Sequence, residues 1–348
     1  MRSMIFNSLL YLYIFLPVAV AGFVLIGKLY ERRMQILWLT AMSFLFYGWW
    51  NPSYLGLLIV SILWNFSISS LLQTRKIRSI LFMGIALNIG LLTYFKYMNF
   101  FVDSLHHALG MSLQFQSIAL PLGISFFTFQ QIAFLTDTYR GEDTKTTWSD
   151  YCFFISFFPQ LIAGPIVRHS EFFPQIASSK FGKVQSSFMA LGISMIVVGL
   201  LKKEVLADTF GLMADPAFTI ATTGGIPTFG KAWMATLAYP FQLYFDFSGY
   251  TDMALGSAYL FGIQLPQNFT SPYRSKNIRE FWQRWHRTLS NFLRDYLYIP
   301  LGGNRKGAAR QGINIMITMI LGGLWHGAAW GFVVWGGLHG MLIIGHLC

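Results

Sequence analysis

The chain has 348 residues, 54% of them apolar and only 11% charged, with a formal net charge of +11 and a mean hydropathy of +0.50. A water-soluble domain carries about a quarter charged residues, so a soluble globular fold is excluded. The apolar runs are continuous rather than alternating and reach the roughly 20 residues that cross a bilayer, which predicts an all-α polytopic membrane protein rather than a barrel.

The first run, Ile5 to Ile26, is too long for a signal-peptide core. The cleavage-like Ala19-Val20-Ala21 lies inside it, so it reads as a retained span. Early spans are predicted at 5–27, 34–50, 54–73, 79–100 and 117–137. The loops between them alternate in basic content. Lys28, Arg32 and Arg33 fill one, Arg75, Lys76 and Arg78 fill another, and Arg140 and Lys145 follow the fifth span. The intervening loops, near Trp50–Ser53 and from Phe101 to Ser117, hold no Lys or Arg. Basic loops stay cytoplasmic, so the N-terminus is placed outward. The positive charge thus sets topology, and nucleic-acid binding is not expected. Trp49 and Trp50 end a span as interfacial anchors, and His106 and His107 fall in an outward loop, solvated.

The next stretch, "YCFFISFFPQLIAGPIVRHSEFFPQ", carries Pro159, Gly164 and Pro165 before Arg168. A full crossing would put Arg168, Lys180 and Lys183 outside, so a broken, re-entrant element is predicted; such backbone is tolerated where protein or water covers it. The two cysteines, Cys152 and Cys348, have neither metal-ligand nor disulfide spacing, and Cys152 is expected to pack as a small apolar residue. Spans follow near 185–201 and 232–263. Asp246 and Asp252 lie within or beside the latter, where carboxylates need partners; arginines of the 274–310 segment are the expected ones. Ser248 and Gly249 between them suggest a helix break.

Residues 274–310, "RSKNIREFWQRWHRTLSNFLRDYLYIPLGGNRKGAAR", hold nine of the 25 basic residues and two acids, Glu280 and Asp295. At 100° per residue, Ile278, Trp282, Trp285, Leu289, Phe292, Leu293 and Tyr296 share one face, while Arg279, Arg287 and Arg294 lie off it. An amphipathic helix at the cytoplasmic membrane surface is predicted, its arginines bound to anionic headgroups. His286 sits at the margin of the apolar stripe and can look inward. The turn "LGGNRKG" lacks the Walker spacing, yet a basic glycine-rich turn could grip the phosphates of a bulky anionic donor. Asn268-Phe-Thr270 matches a glycosylation sequon by chance near a cytoplasmic face.

His326 is the one ionisable residue in "LGGLWHGAAW". On a continuous helix its neighbours at i−4, i−3 and i+3 are Gly322, Gly323 and Ala329. That face suits tight packing with an interhelical hydrogen bond, or a cavity with an imidazole at its wall. The residues alone leave both open. His339 is expected to pack or hydrogen-bond, and His169 has no assigned role.

The runs "FDFSGYTDMALG", "LPQNFTSPYRSKNIREFWQRWHRTLSNFLRDYLYIPLGGNRKG" and "LGGLWHGAAW", with "PLGISFFTFQ" and "FFPQLIAGPIVR", resemble the membrane-bound O-acyltransferase (MBOAT) family over about residues 30–340. Within it the sequence is similar to the bacterial branch of alginate O-acetylation membrane subunits, and a D-alanylation branch of teichoic acid synthesis is related. The resemblance implies a helical bundle with re-entrant and amphipathic elements around a central tunnel, in the bacterial inner membrane. It implies His326 as the catalytic histidine and His286 as the second active-site position. Trp282, Trp285, Arg294, Asn304, Arg305 and Trp325 are candidates for donor binding or tunnel lining. No bound cofactor or metal is expected; acetyl-CoA is the expected acyl donor, with a carrier-protein thioester as the alternative. An extracytoplasmic SGNH-hydrolase-like partner would complete transfer to a polysaccharide, since the sequence holds no Gly-x-Ser-x-Gly elbow. Family members continue with further spans, so residues 1–348 are expected to be one integral membrane domain, C-terminally incomplete. Acyl transfer to a hydroxyl needs a base and an oxyanion stabiliser, and imidazole suits the first task near neutral pH. The expected roles are His326 as general base and His286 as the group that orients the thioester or polarises its carbonyl. Peptidoglycan or other glycans are alternative acceptors. Two other classes also fit membrane histidines: a proton-coupled transporter, and a haem protein ligated by His326 and His339.

Overall fold

The computed structural model describes residues 4–110, 117–142, 144–162, 164–183 and 185–347; Cys348 lies outside them. Of the described residues 78% are helical, and none lies in a strand. A π turn, Tyr11–Phe15, leads into α1 (Leu16–Leu29), followed by α2 (Arg32–Trp50), α3 (Pro52–Thr74) and α4 (Arg78–Leu92). A second π turn, Thr93–Tyr97, joins α4 to α5 (Met98–Leu109), and α6 (Ile124–Arg140), α7 (Trp148–Ser156), α8 (Phe158–Leu161) and α9 (His169–Ala177) come next. Then come α10 (Ser186–Leu200), a π segment Leu201–Ala207, α11 (Asp208–Thr222) and α12 (Phe229–Tyr259). The last are α13 (Ile278–Arg284), α14 (Arg287–Leu293), α15 (Ala308–His326) and α16 (Trp330–Leu347). Among the described residues, four helical stretches are long and apolar enough to cross a membrane: Tyr11–Leu29, Pro52–Thr74, Arg78–Leu109 and Trp330–Leu347.

Helix starts follow local chemistry. Asn51 Oδ1 accepts from the Ser53 amide ahead of Pro52, and Thr147 Oγ1 accepts from the Asp150 amide, each satisfying a donor the helix leaves free. The chain separates into two compact units.

One unit comprises residues 1–42, 163–165 and 174–267. Here α10 and α12 meet backbone to backbone at two reciprocal glycine pairs. A Cβ on Gly192 would lie 2.7 Å from the Gly256 carbonyl oxygen, and one on Gly256 would lie 2.6 Å from that of Gly192. Seven residues along, Gly199 and Gly249 repeat the arrangement at 2.6 and 2.7 Å. Small residues allow this approach, which drives helix association where water supplies no hydrophobic force. The expected break at Ser248–Gly249 is therefore absent: α12 runs unbroken, and the glycine serves close packing. Asp252 and Asp246 do find cations, but these are Lys202 at 2.6 Å and Lys203 at 2.7 Å rather than arginines of 274–310. The same pairing lets the helical path continue through Leu201–Ala207 into α11, beyond the predicted end at 201. A buried Tyr11 hydroxyl donates to Ser257 Oγ at 2.7 Å.

The other unit comprises residues 43–162, 166–173 and 268–348. Its α3, α4 and α6 are joined by neutral polar pairs: Asn65 and Asn88 exchange amide hydrogen bonds of 3.2 and 2.7 Å, and Gln131 donates to Ser61 Oγ at 3.1 Å. The broken element after 147 forms as α7 and α8, the described residues between α8 and α9 have no regular structure, and Phe153, Phe154, Phe157, Phe158 and Phe172 are all fully buried. Its irregular backbone is thus covered by protein, as such backbone in a membrane must be. Cys152 is a buried free thiol.

Three predicted boundaries shift. Helix α5 carries His106 and His107 on to Leu109, where Gly110 turns left-handed (φ 64°), so these histidines are not in a loop. Helix α6 starts at Ile124 rather than 117. It follows Gly123 at φ +69°, where a Cβ would sit 2.4 Å from the Leu161 carbonyl oxygen. The single amphipathic helix expected in 274–310 is two helices, α13 and α14, separated at Trp285–His286.

Overpacking a tight helix contact costs about 1–3 kcal/mol. Gly256→Val should therefore lower the thermal midpoint of detergent-solubilised protein by several degrees. Gly230→Ala, where the added Cβ meets nothing within 4 Å, should leave it within about a degree.

Candidate active site

His326 is the last residue of α15. The glycines before it do different things. Gly323 admits the backbone of α16: a Cβ there would lie 2.2 Å from the Phe332 carbonyl oxygen, and one on Gly336 would lie 2.4 Å from that of Met319. Gly322 instead borders a cavity. Ala329 is not on the histidine's helical face at all, because the helix has ended. The imidazole is half-buried in an aromatic setting, with ring centroids 5.1 Å from Trp325, 5.3 Å from Trp335 and 6.2 Å from His286.

His286 owes its place to an unusual turn. It precedes α14 with φ 42° and ψ 55°, left-handed values that non-glycine residues seldom adopt and that persist where the surroundings over-determine them. The determinants are visible. The Arg287 amide donates to the Asn268 carbonyl at 2.9 Å, and Thr288 Oγ1 donates to Asn268 Oδ1 at 2.7 Å while accepting from the Ile166 amide at 2.9 Å. Asn268 is fully buried, so its sequon is a structural clasp. The turn puts the His286 ring in the interior, 5.6 Å from Trp325. Burial, with the nearby His326 ring, holds its imidazole well below the ordinary value, so it is neutral.

A cavity of about 540 Å³ opens beside His326. Leu289, Leu293, Ile315 and Met319 form much of its apolar wall, and Arg279, Arg294, Asn304 and Gln311 add polar groups. Of the residues singled out in the sequence, His326, Trp282, Arg294 and Asn304 line this space. His286, Trp285, Trp325 and Arg305 do not. Trp285 is buried against Phe281, rings stacked at 5.6 Å. Trp325 stacks on Phe129 and meets Phe126 edge-on, and Arg305 is exposed on the glycine-rich turn. Arg279 and Gln311 are cavity residues that sequence reasoning missed; Arg279 reads as one more headgroup-facing arginine because helical phase cannot show the cavity beside it. His339 packs in an aromatic cage, 4.6 Å from Trp335 and 5.2 Å from Trp282.

Arg294 is held in place by Asp295, which accepts from its Nε at 2.6 Å and Nη2 at 3.1 Å and is also paired with Arg168. Burial alone would raise the Asp295 carboxyl, but the hydrogen bonds from Arg294 and Arg168 outweigh it and hold it below the usual range. Beside this pair, Asp137 accepts from the Tyr296 hydroxyl at 2.5 Å. Asp137, Glu142 and His169 each bring one possible ligand atom within 4.8 Å of the others. Asp137 is already engaged by Tyr296, and Arg140 stands 3.6 Å away, a setting that suits a charge network better than a cation.

An imidazole at the wall of an apolar cavity with arginines at its lining fits transfer of an acyl group from a large anionic donor. The model of the membrane-bound O-acyltransferase family matches residues 44–348. The chain belongs to this family. It is 41% identical to the peptidoglycan O-acetyltransferase of Helicobacter pylori over 99% of its length and 70% of that protein. It is also 41% identical to the "Probable alginate O-acetylase AlgI" of Pseudomonas putida, over 97% of its length and 70% of that protein. Similarity to the teichoic acid D-alanyltransferase of Streptococcus thermophilus is lower, 32% over 66% of this chain. The protein is thus a membrane-bound O-acyltransferase, and the transporter and haem readings of its histidines give way to an enzyme.

The lowered Asp295 carboxyl stabilises the fold above the ordinary carboxylate range and loses that contribution as pH falls through its folded value. Replacing Arg168 with Met should therefore flatten the decline of the thermal midpoint between about pH 5 and pH 3; an unchanged acid slope would uncouple Asp295 from stability.

Proposed function

We propose that this acyltransferase relays an acetyl group from a cytoplasmic thioester, acetyl-CoA, toward a polysaccharide outside the inner membrane. The observation that carries the reading is the His326 imidazole on the wall of a cavity of about 540 Å³ that also carries two arginines and Asn304. Guanidinium groups bind phosphates through planar paired donors, so Arg279, Arg294 and Asn304 hold the nucleotide end of the donor. The apolar wall receives its arm, and Trp282 and Trp335 flank the reacting end. In this reading the acetyl group leaves the cavity toward the outer face by a tunnel of the kind the family resemblance implies.

In this reading neutral His326 takes the proton of the acceptor hydroxyl as its oxygen attacks the thioester carbonyl. The carbon–sulfur bond then breaks, and the proton passes to the departing thiolate. The resemblance gives His286 the task of orienting the thioester or polarising its carbonyl. Its ring is fully buried and off the cavity wall, so it is assigned instead to hold Trp325 and His326 in place from behind.

The polysaccharide acceptor rests on the peptidoglycan and alginate acetylating relatives, whose similarity spans nearly the whole chain, whereas the D-alanyl relatives match two thirds of it. Alternation of basic loops supports an outward N-terminus. An extracytoplasmic SGNH-hydrolase-like partner takes the acetyl group onward to the polymer.

Loss of a positioned base costs about 10²–10⁴-fold in rate. His326→Ala and His326→Gln, inserted at native levels in membranes, should lose acetyl transfer to this extent, measured as turnover of radiolabelled acetyl-CoA. Near-native turnover would overturn the assignment. Arg294→Ala should raise the KM for acetyl-CoA more than it lowers kcat.

A further inference from the structure

Helix α15 stops at His326, and Gly327 after it is extended (φ −166°), not in the left-handed turn by which a glycine commonly ends a helix. An α-helix ends with carbonyls that have no intrahelical donor. If α15 continued, the Leu324 and Trp325 carbonyls would accept from the amides of Ala328 and Ala329. Instead they accept from a different helix. The Tyr97 hydroxyl donates to the Leu324 carbonyl at 2.9 Å, and the Lys96 ammonium donates to the Trp325 carbonyl. Lys96 Nζ also reaches Ser125 Oγ at 3.0 Å and lies 5.4 Å from the Trp325 ring centroid. Both donors sit in the π turn Thr93–Tyr97, and π turns interrupt helices mostly at functional positions. The Ala329 amide goes elsewhere, donating to the Gly327 carbonyl at 3.0 Å.

This exchange has a geometric result. The chain leaves the helix axis at Gly327, and Ala328, Ala329 and Lys96 line a second cavity of about 840 Å³. His326 therefore stands at a helix end, with one cavity against its ring and another along the backbone that follows. A cation inside a membrane-spanning helix is costly and rarely without purpose, and a positive group at a helix C-terminus is favoured by the helix dipole.

We propose that Lys96 and Tyr97 are positioning residues for the acyl-transfer reaction: by taking the last carbonyls of α15 they end the helix at His326 and fix the imidazole at the cavity wall. The inference rests on His326 being the base, and it concerns how that base is placed. An error of about 1 Å in placing a reacting group can lower the rate about 10²-fold.

The test compares Lys96→Met, Lys96→Arg, Tyr97→Phe, His326→Ala and the double variant Lys96→Met/His326→Ala. Each is made as the full chain in native membranes with acetyl-CoA as donor, and kcat is expressed per folded molecule. Lys96→Met should lower kcat about 10- to 100-fold with the KM for acetyl-CoA within about twofold, and Lys96→Arg should recover most of that loss. Tyr97→Phe, which removes one oxygen and keeps the ring, should lower kcat about three- to tenfold. In the His326→Ala background Lys96→Met should add no further loss, because residues acting through one group are non-additive. A purely structural role would lower protein level or thermal midpoint with kcat per folded molecule unchanged, and that result overturns the proposal. So does a native kcat in Tyr97→Phe, which decides the matter alone if Lys96→Met does not insert. Native turnover in His326→Ala would sink the base assignment. An inactive His326→Ala beside native Lys96→Met and Tyr97→Phe would sink only the positioning role.

Discussion

Helix α15 ends with carbonyls that its own turns cannot satisfy. Side chains of another helix supply the donors. Several features around His326 follow from this stop. The imidazole comes to lie at a helix end rather than mid-helix, Gly327 can turn the chain away, and α16 can return against Gly323 with its backbone in contact. Leu293 and the wall of α14 then face the space that Gly322 leaves open. The aromatic rings of Trp325 and Trp335 hold the histidine from two sides.

Much of the helical layout was legible in the sequence. The stretches predicted at 34–50 and 54–73 lie within helices α2 and α3, their ends marked by charged residues and an Asn-Pro cap, and of the two α3 is long and apolar enough to cross a membrane. The interrupted element after 147 was legible from its prolines. What could not be read were features decided by partners far along the chain. Lys202 and Lys203 look like the end of a span, yet Asp252 and Asp246 neutralise them and the helical path continues. His286 looks like one more residue on an amphipathic helix, yet Asn268, eighteen positions earlier, and Thr288 fold the backbone into a left-handed turn at that point. The stop at His326 was invisible for the same reason: its cause is Lys96 and Tyr97, more than two hundred residues away.

The candidate site shows the same division. His326, the proposed base, stands out by its setting and by the family's motif, and half of the suspected donor residues reach the cavity. Trp285 and Trp325 were placed by residue type, but bulky indoles in a helical membrane protein are as useful for packing as for lining. Both are buried in aromatic stacks. Arg279 went unnoticed because arginines off an apolar stripe are ordinarily bound to headgroups, and only the break at His286 turns α13 toward the cavity.

The reciprocal glycine pairs of α10 and α12 carry an evolutionary corollary. At each contact the obstacle to a side chain is the opposite helix's peptide oxygen, which every amino acid shares. No change at the partner position can make room, so compensating second-site mutations are closed off. These four positions should stay frozen while neighbouring lipid-facing residues drift freely, and revertants of damage there should be true restorations of glycine.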